Sequence, residues 1–481
     1  MGTGPVAVRR PDRRDRCVSD TRPWTDPRAQ AAPRRGLDGL GRGKYHRRLK
    51  ADRERIWARM RAPARLGRGG QFERWRGNPA VKVTKVRVGL VGLGLVADSH
   101  IKAYQASRDA DVVAVCDLDP ARASKIADKY GIARTYTAYE DMLRDADINT
   151  VDITTPTVLH ARMAAAAARA GKNILCEKPF CLTLAEGRAV VEEAARAGVS
   201  LMVGESYIFM TSIMKARELI DAGEIGKVQQ IRQRFGTWLE RPGATETDRE
   251  STADHRGWRM DSARAGGAGF PWMFDHCVHF FATAEYLMQG AKIKEVYALK
   301  SDIGWMNDGA DHAPDRSEMH VYRPEAAGDI PIITWTYDDP ACQGVWMRAE
   351  ALNGKYDPMY GFSVSVIGET GMIEVLGEGG RGLTWEDRNA HLVLHRKNGR
   401  TEAFRFDEGG DDIWQSEVSY YSRAHRNQIH DFIGALTRGE PPRYSGADGL
   451  HHVQATMAAI CSAKEGVPVR VGEVTDARYA R

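Results

Sequence analysis

The chain has 481 residues, 42% apolar and 28% charged, with 69 Lys and Arg against 64 Asp and Glu, a net charge of +5. That average conceals a split: residues 1–80 hold 20 Arg and 2 Lys against 8 acids, net +14, which leaves 47 basic and 56 acidic residues, net −9, for 81–481. Ordinary globular composition excludes disorder throughout, and the body has room for two or three domains; no window reaches the roughly 18 consecutive apolar residues of a membrane-spanning helix.

Residues 1–84 are expected to be a basic, disordered leader or arm, because paired arginines mixed with Pro and Gly cannot bury a core. Tyr45 to Met60 is its one stretch with a helical apolar stripe (Ile56, Trp57, Met60). A twin-arginine export signal is set aside, since Arg9-Arg10 is followed by Pro-Asp-Arg-Arg-Asp and no apolar region. A solvated tail and an arm packing on a neighbouring subunit remain open. A nucleic-acid partner is not expected, as no aromatic-rich reading module follows.

Val86 to Val91 reads as a strand that ends in Gly92-Leu93-Gly94-Leu95-Val96-Ala97, with a helix-compatible stretch, Asp98 to Arg108, beyond. Gly92 permits a tight turn, Gly94 a close approach by a pyrophosphate, and small Ala97 close packing of helix on strand, with Leu95 and Val96 in the first helical turn. The next apolar run, Val112 to Val115, leads to Asp117, 23 residues after Gly94. An acid there bonds a ribose 2′-hydroxyl and repels a 2′-phosphate, so NAD is favoured over NADP; the competing reading makes Asp117 the cap of a helix from Pro120.

The alternation continues with helix Ala121 to Lys129, a short strand near Thr135, helix Tyr139 to Arg144, strand Thr150 to Ile153 and helix Val158 to Ala170. Strand Asn173 to Leu175, helix Leu184 to Ala197 and strand Leu201 to Val203 complete it. Such βα units predict an α/β doubly wound parallel sheet over 85–206 with ligands at the carboxyl ends of its strands. Those ends carry Thr154-Thr155-Pro156, with His160 one turn later, and Cys176-Glu177-Lys178-Pro179.

Beyond 207 the pattern changes to a predicted α+β domain, 207–481. Helix Ser212 to Ala222 and strand Val228 to Phe235 come first. Strands follow near Lys294 to Leu299, Glu318 to Tyr322, Ile332 to Tyr337, Gly344 to Ala349, Phe362 to Ile367, Met372 to Val375 and Leu392 to His395. They suit a large, mostly antiparallel open sheet, with two late helices, Ser422 to Thr437 and Ala447 to Ala463, packed on the body. Asp275-His276-Cys277-Val278-His279 lies on an apparent helix, where a spacing of four puts Asp275 and His279 on one face and lets the carboxylate orient the imidazole. Hydride transfer from a secondary alcohol needs a base, which His279 suits, and Lys178 is placed to stabilise the developing alkoxide. His276 reads equally as a substrate contact or a surface residue. A metal at Asp275, His276 and His279 is set aside for want of further ligands, and no metal is expected. Trp238, Trp258 and Trp272 read as ring-stacking or core residues, and His451-His452 as an exposed helix start without a role.

These residues, above all Glu177-Lys178-Pro179 in its order with the glycine turn, Asp117, Thr155-Pro156, His160 and Gly171-Lys172, resemble the Gfo/Idh/MocA family of glucose-fructose oxidoreductases, inositol dehydrogenases and rhizopine catabolism proteins. The likeness covers about 85–481. It implies NAD held by the glycine turn, Asp117, Thr154, Thr155, Pro156, His160, Glu177 and Lys178, and a pocket in which Lys178, Asp275 and His279 act together. It further implies a substrate cleft lined by Tyr207 and an open sheet that builds homodimers or homotetramers; Arg259, before the glycine run Ala265-Gly266-Gly267-Ala268-Gly269, is placed to hold an anionic or hydroxylated ligand. One departure stands out: where the family's usual Asp-x-Gly-x-His has glycine, this chain has Cys277. The expected activity is hydride transfer between a secondary hydroxyl or ketone of a sugar, cyclitol or glycoside and nicotinamide. A redox-neutral glycosidase or lyase acting by transient oxidation is the alternative, and a nucleotide-sensing regulator a third reading. The seven scattered cysteines without a CxxC fit a reducing cytoplasm.

Overall fold

The computed structural model describes residues 82–235, 262–301, 329–348, 363–376, 392–404, 406 and 421–480. The leader to residue 81, the Tyr45 to Met60 stripe, the strand expected at Glu318 to Tyr322, and Arg259, Trp238 and Trp258 lie outside the described residues, as does the side chain of Trp272.

The first sheet is built from β1 (Val86–Val91), α1 (Leu95–Gln105), β2 (Ala110–Cys116), α2 (Pro120–Tyr130), β3 (Arg134–Tyr136) and α3 (Tyr139–Arg144). Then come β4 (Thr150–Ile153), α4 (Thr157–Arg169), β5 (Asn173–Glu177), α5 (Leu184–Ala197) and β6 (Leu201–Gly204). Its six strands run in the order β3-β2-β1-β4-β5-β6, all neighbours parallel. Every residue of β4, β5 and β6 is buried, as continuous apolar strands covered on both faces should be. The order reverses between β1 and β4, which puts the ligand crevice above their carboxyl ends. Helix ends are specified locally. Asp119 caps α2 through the N–H groups of Ala121 and Arg122, and Thr183 with Glu186 closes a capping box on α5.

After a short turn at Tyr207–Phe209 the chain forms α6 (Thr211–Asp221), β7 (Val228–Phe235), α7 (Ser262–Ala265), α8 (Pro271–Leu287), β8 (Ile293–Ser301), β9 (Asp329–Tyr337) and β10 (Gln343–Arg348). It continues with β11 (Ser363–Gly368), β12 (Gly371–Leu376), β13 (Leu392–Arg396), β14 (Thr401–Phe404), α9 (Tyr421–Arg438), α10 (Gly446–Glu465), β15 (Val469–Arg470) and α11 (Asp476–Tyr479). The second sheet has nine strands ordered β14-β13-β12-β11-β7-β10-β9-β8-β15. Only the β7–β10 pair is parallel. Along β9, Ile333, Trp335 and Tyr337 are buried while Thr334 and Thr336 are exposed, so one face is covered. The cover is α8: Phe280 stacks on Trp346 at 4.9 Å and Phe281 meets Trp335 edge-on at 5.5 Å. Helix α9 returns to the first sheet and lies along α1, where His430 Nε2 donates to the Ala103 carbonyl at 3.0 Å.

One expectation is overturned. His451 and His452 sit inside α10, which starts at a Ser445 capping box, and both are buried against Glu285 of α8. A pair of adjacent histidines reads as polar surface in one dimension, but a buried carboxylate on a neighbouring helix supplies their partner. The Phe280–Trp346 stack holds the helix that carries His279 to the large sheet. Trp346→Ala is therefore expected to cost about 3–5 kcal/mol in urea unfolding; a loss under about 1 kcal/mol would contradict this packing.

Candidate active site

At the end of β1 the backbone of Gly92 has φ +90°, and a Cβ there would lie 2.9 Å from the Thr154 carbonyl carbon, so this turn requires glycine. A Cβ on Gly94 would meet nothing within 4 Å, which leaves open space over the first turn of α1. Asp117, at the end of β2, accepts hydrogen bonds from the N–H of Leu93 (2.8 Å) and of Asp119 (2.9 Å), and from Arg122 Nη1 at 3.1 Å. It ties the glycine turn to the ribose side of the crevice, while the capping of α2 falls to Asp119. Thr154 Oγ1 donates to the Gly92 carbonyl and closes the turn from β4. A dinucleotide fits this arrangement, with a helix N-terminus and open space for phosphates and a carboxylate for the adenine ribose.

His160 on α4 is buried, with Nδ1 2.7 Å from the Pro179 carbonyl and Nε2 2.7 Å from the Thr155 carbonyl. Its burial pushes it below the ordinary histidine range despite both carbonyls. Each ring nitrogen lies within hydrogen-bond distance of a main-chain carbonyl, and the one that carries the proton donates. His160 ties the Thr155-Pro156 loop to the loop after β5 and so positions both.

Lys178, on that second loop and followed by a cis peptide to Pro179, donates from Nζ to the main-chain oxygen of Asp275 at 3.1 Å and to its Oδ1 at 3.2 Å. Asp275 is 4% exposed and its other oxygen lies 3.4 Å from His276 Nδ1. The i, i+4 spacing of Asp275 and His279 suggests that they pair, but the carboxylate hydrogen-bonded to His279 is Glu205, which follows β6: Oε1 lies 2.6 Å from Nδ1. Glu205 arrives from the end of a parallel strand aimed at the imidazole, whereas the Asp275 carboxylate is engaged by the Lys178 ammonium. Since Oε1 also accepts the Tyr207 N–H at 3.0 Å, the pairing assigns Nδ1–H as donor and leaves the His279 lone pair on Nε2. Tyr207 is fully buried and stacks on the same ring, centroids 4.0 Å apart and planes 10° apart, so it braces the imidazole from one face. Cys277, in the position of the family's glycine, is 1% exposed.

Glu205 was legible only through the strand-end rule, since nothing in Gly204-Glu205-Ser206 marks a motif. A second set beside the site had no sequence signal at all. His100 of α1 contacts Asp152 of β4 through Nδ1 at 2.8 Å and faces Glu177 Oε1 from Nε2 at 3.4 Å, with the His425 ring of α9 5.0 Å away. Burial opposes charge on His100, yet Asp152 and Glu177 outweigh it and raise it to about 10, while His100 in turn draws buried Glu177 down to about 2.

Burial pushes Glu205 up to about 8 against the pull of the Tyr207 N–H, Lys178 and His452, with Glu177 adding to the rise. Among the described residues, His279 on α8 and Tyr444 before α10 also face it. Because the folded protein keeps this proton above the ordinary carboxylate range near about 4.3, the contribution to stability is full below that value and is lost as pH rises toward about 8. Urea unfolding should therefore show wild type losing stability relative to Glu205→Gln between about pH 5 and pH 8; parallel pH profiles for the two proteins would contradict it.

Residues 86–205 match the model of an oxidoreductase family with an NAD-binding Rossmann fold, and residues 217–471 match the C-terminal alpha/beta domain of the same family. An inositol 2-dehydrogenase of Rhizobium meliloti is 30% identical over 381 residues, 79% of this chain and 97% of that protein. A myo-inositol 2-dehydrogenase of Thermotoga maritima is 26% identical over 389 residues, 81% and 99% of the two chains. A levoglucosan dehydrogenase solved with NADH and levoglucosan shares the fold at a TM-score of 0.61, with 23% identity and coverage of 81% of this chain and 100% of that one. The glycine turn, the Glu177-Lys178-Pro179 loop and both sheets thus belong to a single pattern, and the chain is an NAD-binding oxidoreductase of the Gfo/Idh/MocA family.

Proposed function

We propose that this enzyme transfers a hydride between a secondary hydroxyl, or the matching ketone, of a sugar, cyclitol or glycoside and the nicotinamide of NAD. The observation that carries this reading is the meeting of Lys178 from the loop after β5 with Asp275 of α8, one helical turn before a histidine whose Nδ1 is held by Glu205. Relatives named for inositol and levoglucosan support the substrate class.

NAD, once bound, supplies the hydride acceptor. His279 takes the hydroxyl proton on Nε2 as the carbon–hydrogen bond breaks, and Glu205 stabilises the resulting imidazolium through Nδ1–H. Lys178, steadied by Asp275, offers its ammonium to the oxygen that gains negative charge. His276, next to Asp275, and Arg259 are assigned to the substrate's remaining hydroxyls, and Tyr207, stacked on the ring of His279, to the wall of the same cleft. On the cofactor side, Gly92, Gly94, Leu95 and Val96 form the phosphate turn and Asp117 takes the ribose. Thr154, Thr155, Pro156 and the Glu177-Lys178 loop border the nicotinamide, with His160 as their brace.

We further infer a homodimer or homotetramer formed through the nine-stranded sheet and a reducing, cytoplasmic setting. Leu299, Ile332 and Met347 sit side by side across β8, β9 and β10, with Leu299 and Met347 more than 40% exposed, an apolar row suited to a second copy. The six described cysteines are buried and none is joined to another in a disulfide, and among the described residues no helix is long and apolar enough to cross a membrane.

Lys178→Ala and His279→Ala should each lower turnover on a responsive sugar or cyclitol by roughly 10²- to 10⁴-fold, with NAD affinity nearly intact. Wild-type turnover in both variants would contradict the assignment. Accumulation of NADH with substrate, followed by absorbance, separates dehydrogenation from the redox-neutral route, which releases none.

A further inference from the structure

We propose that His100, Glu177 and His425 bind a divalent transition-metal ion of the zinc class beneath the Lys178 loop. One ligand-capable atom from each of the three lies within 4.8 Å of the others, and all three residues come from different elements: α1, the end of β5 and α9. His100 Nε2 and Glu177 Oε1 are buried without a hydrogen-bond partner, although they face each other at 3.4 Å. That separation is too poorly aligned for a hydrogen bond but suits an ion between them, since two donors each about 2.1 Å from a tetrahedral zinc lie about 3.4 Å apart.

The outer contacts prepare both imidazoles in the same sense. His100 donates Nδ1–H to Asp152 at 2.8 Å, which turns Nε2 toward Glu177. Ser99 Oγ donates to the Val96 carbonyl at 2.8 Å, so it accepts from His425 Nδ1–H at 3.0 Å and leaves that ring's lone pair on Nε2. A carboxylate and a hydroxyl holding the remote nitrogens of two histidines is the usual outer shell of a metal site.

A comparable trio elsewhere shows what a closed cluster looks like. Glu285, His451 and His452 also bring ligand atoms within 4.8 Å. There, however, the Lys292 ammonium sits 2.8 Å from Glu285, the Ile293 N–H donates to it at 2.8 Å, and Tyr444 is hydrogen-bonded to His452 at 2.6 Å. That cluster carries its own cation. The one around His100 has Lys178 nearby, but the ammonium is committed to Asp275. Two imidazoles and one carboxylate favour zinc over magnesium or calcium, and three protein donors leave room for water in the fourth position. An ion there would fasten α1, α9 and the Lys178 loop together.

The test is a metal count on full-length protein produced in zinc-supplemented medium, by inductively coupled plasma mass spectrometry, for wild type, His100→Ala and His425→Ala. About one zinc per chain in wild type, reduced roughly tenfold or more in each variant while NAD still binds, is the expected result. Wild type with under about 0.1 zinc per chain overturns the proposal and leaves a proton on His100 as the compensating charge. Equal zinc in wild type and variants overturns it by placing the ion elsewhere. Zinc-edge X-ray absorption of the wild type needs no variant: two imidazole ligands support the site, and fewer than two refute it.

Discussion

Buried carboxylates at the carboxyl edge of the parallel sheet, each obliged to find a cationic or hydrogen-bonding partner, are the constraint on which the rest depends. Asp117, Asp152, Glu177 and Glu205 lie on or directly after β2, β4, β5 and β6, and all are under 10% exposed. An unpaired ionised carboxylate in such a place is prohibitively costly. Each one therefore fixes a neighbour: Asp117 the glycine turn, Asp152 the ring of His100, Glu205 the ring of His279. The same desolvation that makes these pairs necessary holds the His279 ring and the Lys178 ammonium in place, the rigidity that the proposed hydride transfer demands.

The second domain completes the site by bringing α8 over that edge. Phe280 and Phe281 face the large sheet while Asp275 and His279 meet the loops after β5 and β6, so one helix serves both the core and the candidate site. At its far end Glu285 pairs with His451 and His452 of α10, and Lys292 with Glu285, which locks α8 against the late helix. Packing and chemistry thus share a single helix, and shifts in the sheet would reach His279 directly.

The doubly wound sheet was readable in the chain because its signals are local: apolar runs of strand length, caps, and glycines at turns. Elements such as Tyr139–Arg144 and Leu184–Ala197 stand where the pattern puts them. Lys178, Asp275 and His279 were legible as candidates, through the family's tripeptide and the i, i+4 spacing, and Lys178 does meet Asp275. The carboxylate that pairs with His279 was not legible. Helical spacing states which side chains share a face, but it cannot state which carboxylate from another strand reaches the ring first, and Glu205 is 74 residues from His279. His100 and His425, 325 residues apart in sequence, meet only through the packing of α9 on α1, and the burial of His451 and His452 depends likewise on a partner helix. Asp119, two residues beyond Asp117, took the capping role because its side chain accepts from the first N–H groups of α2.

The central claim is that a carbon-bound hydrogen of the substrate leaves as hydride to NAD while His279 removes the hydroxyl proton. Substrates carrying deuterium on the carbinol carbon, beginning with myo-inositol and levoglucosan and extending to other sugars and glycosides, test this most directly by mass spectrometry of the recovered cofactor. The account predicts singly deuterated NADH in wild type and its near disappearance in His279→Ala. Reduced cofactor without the label, or label returned wholly to product with no NADH released, would contradict it.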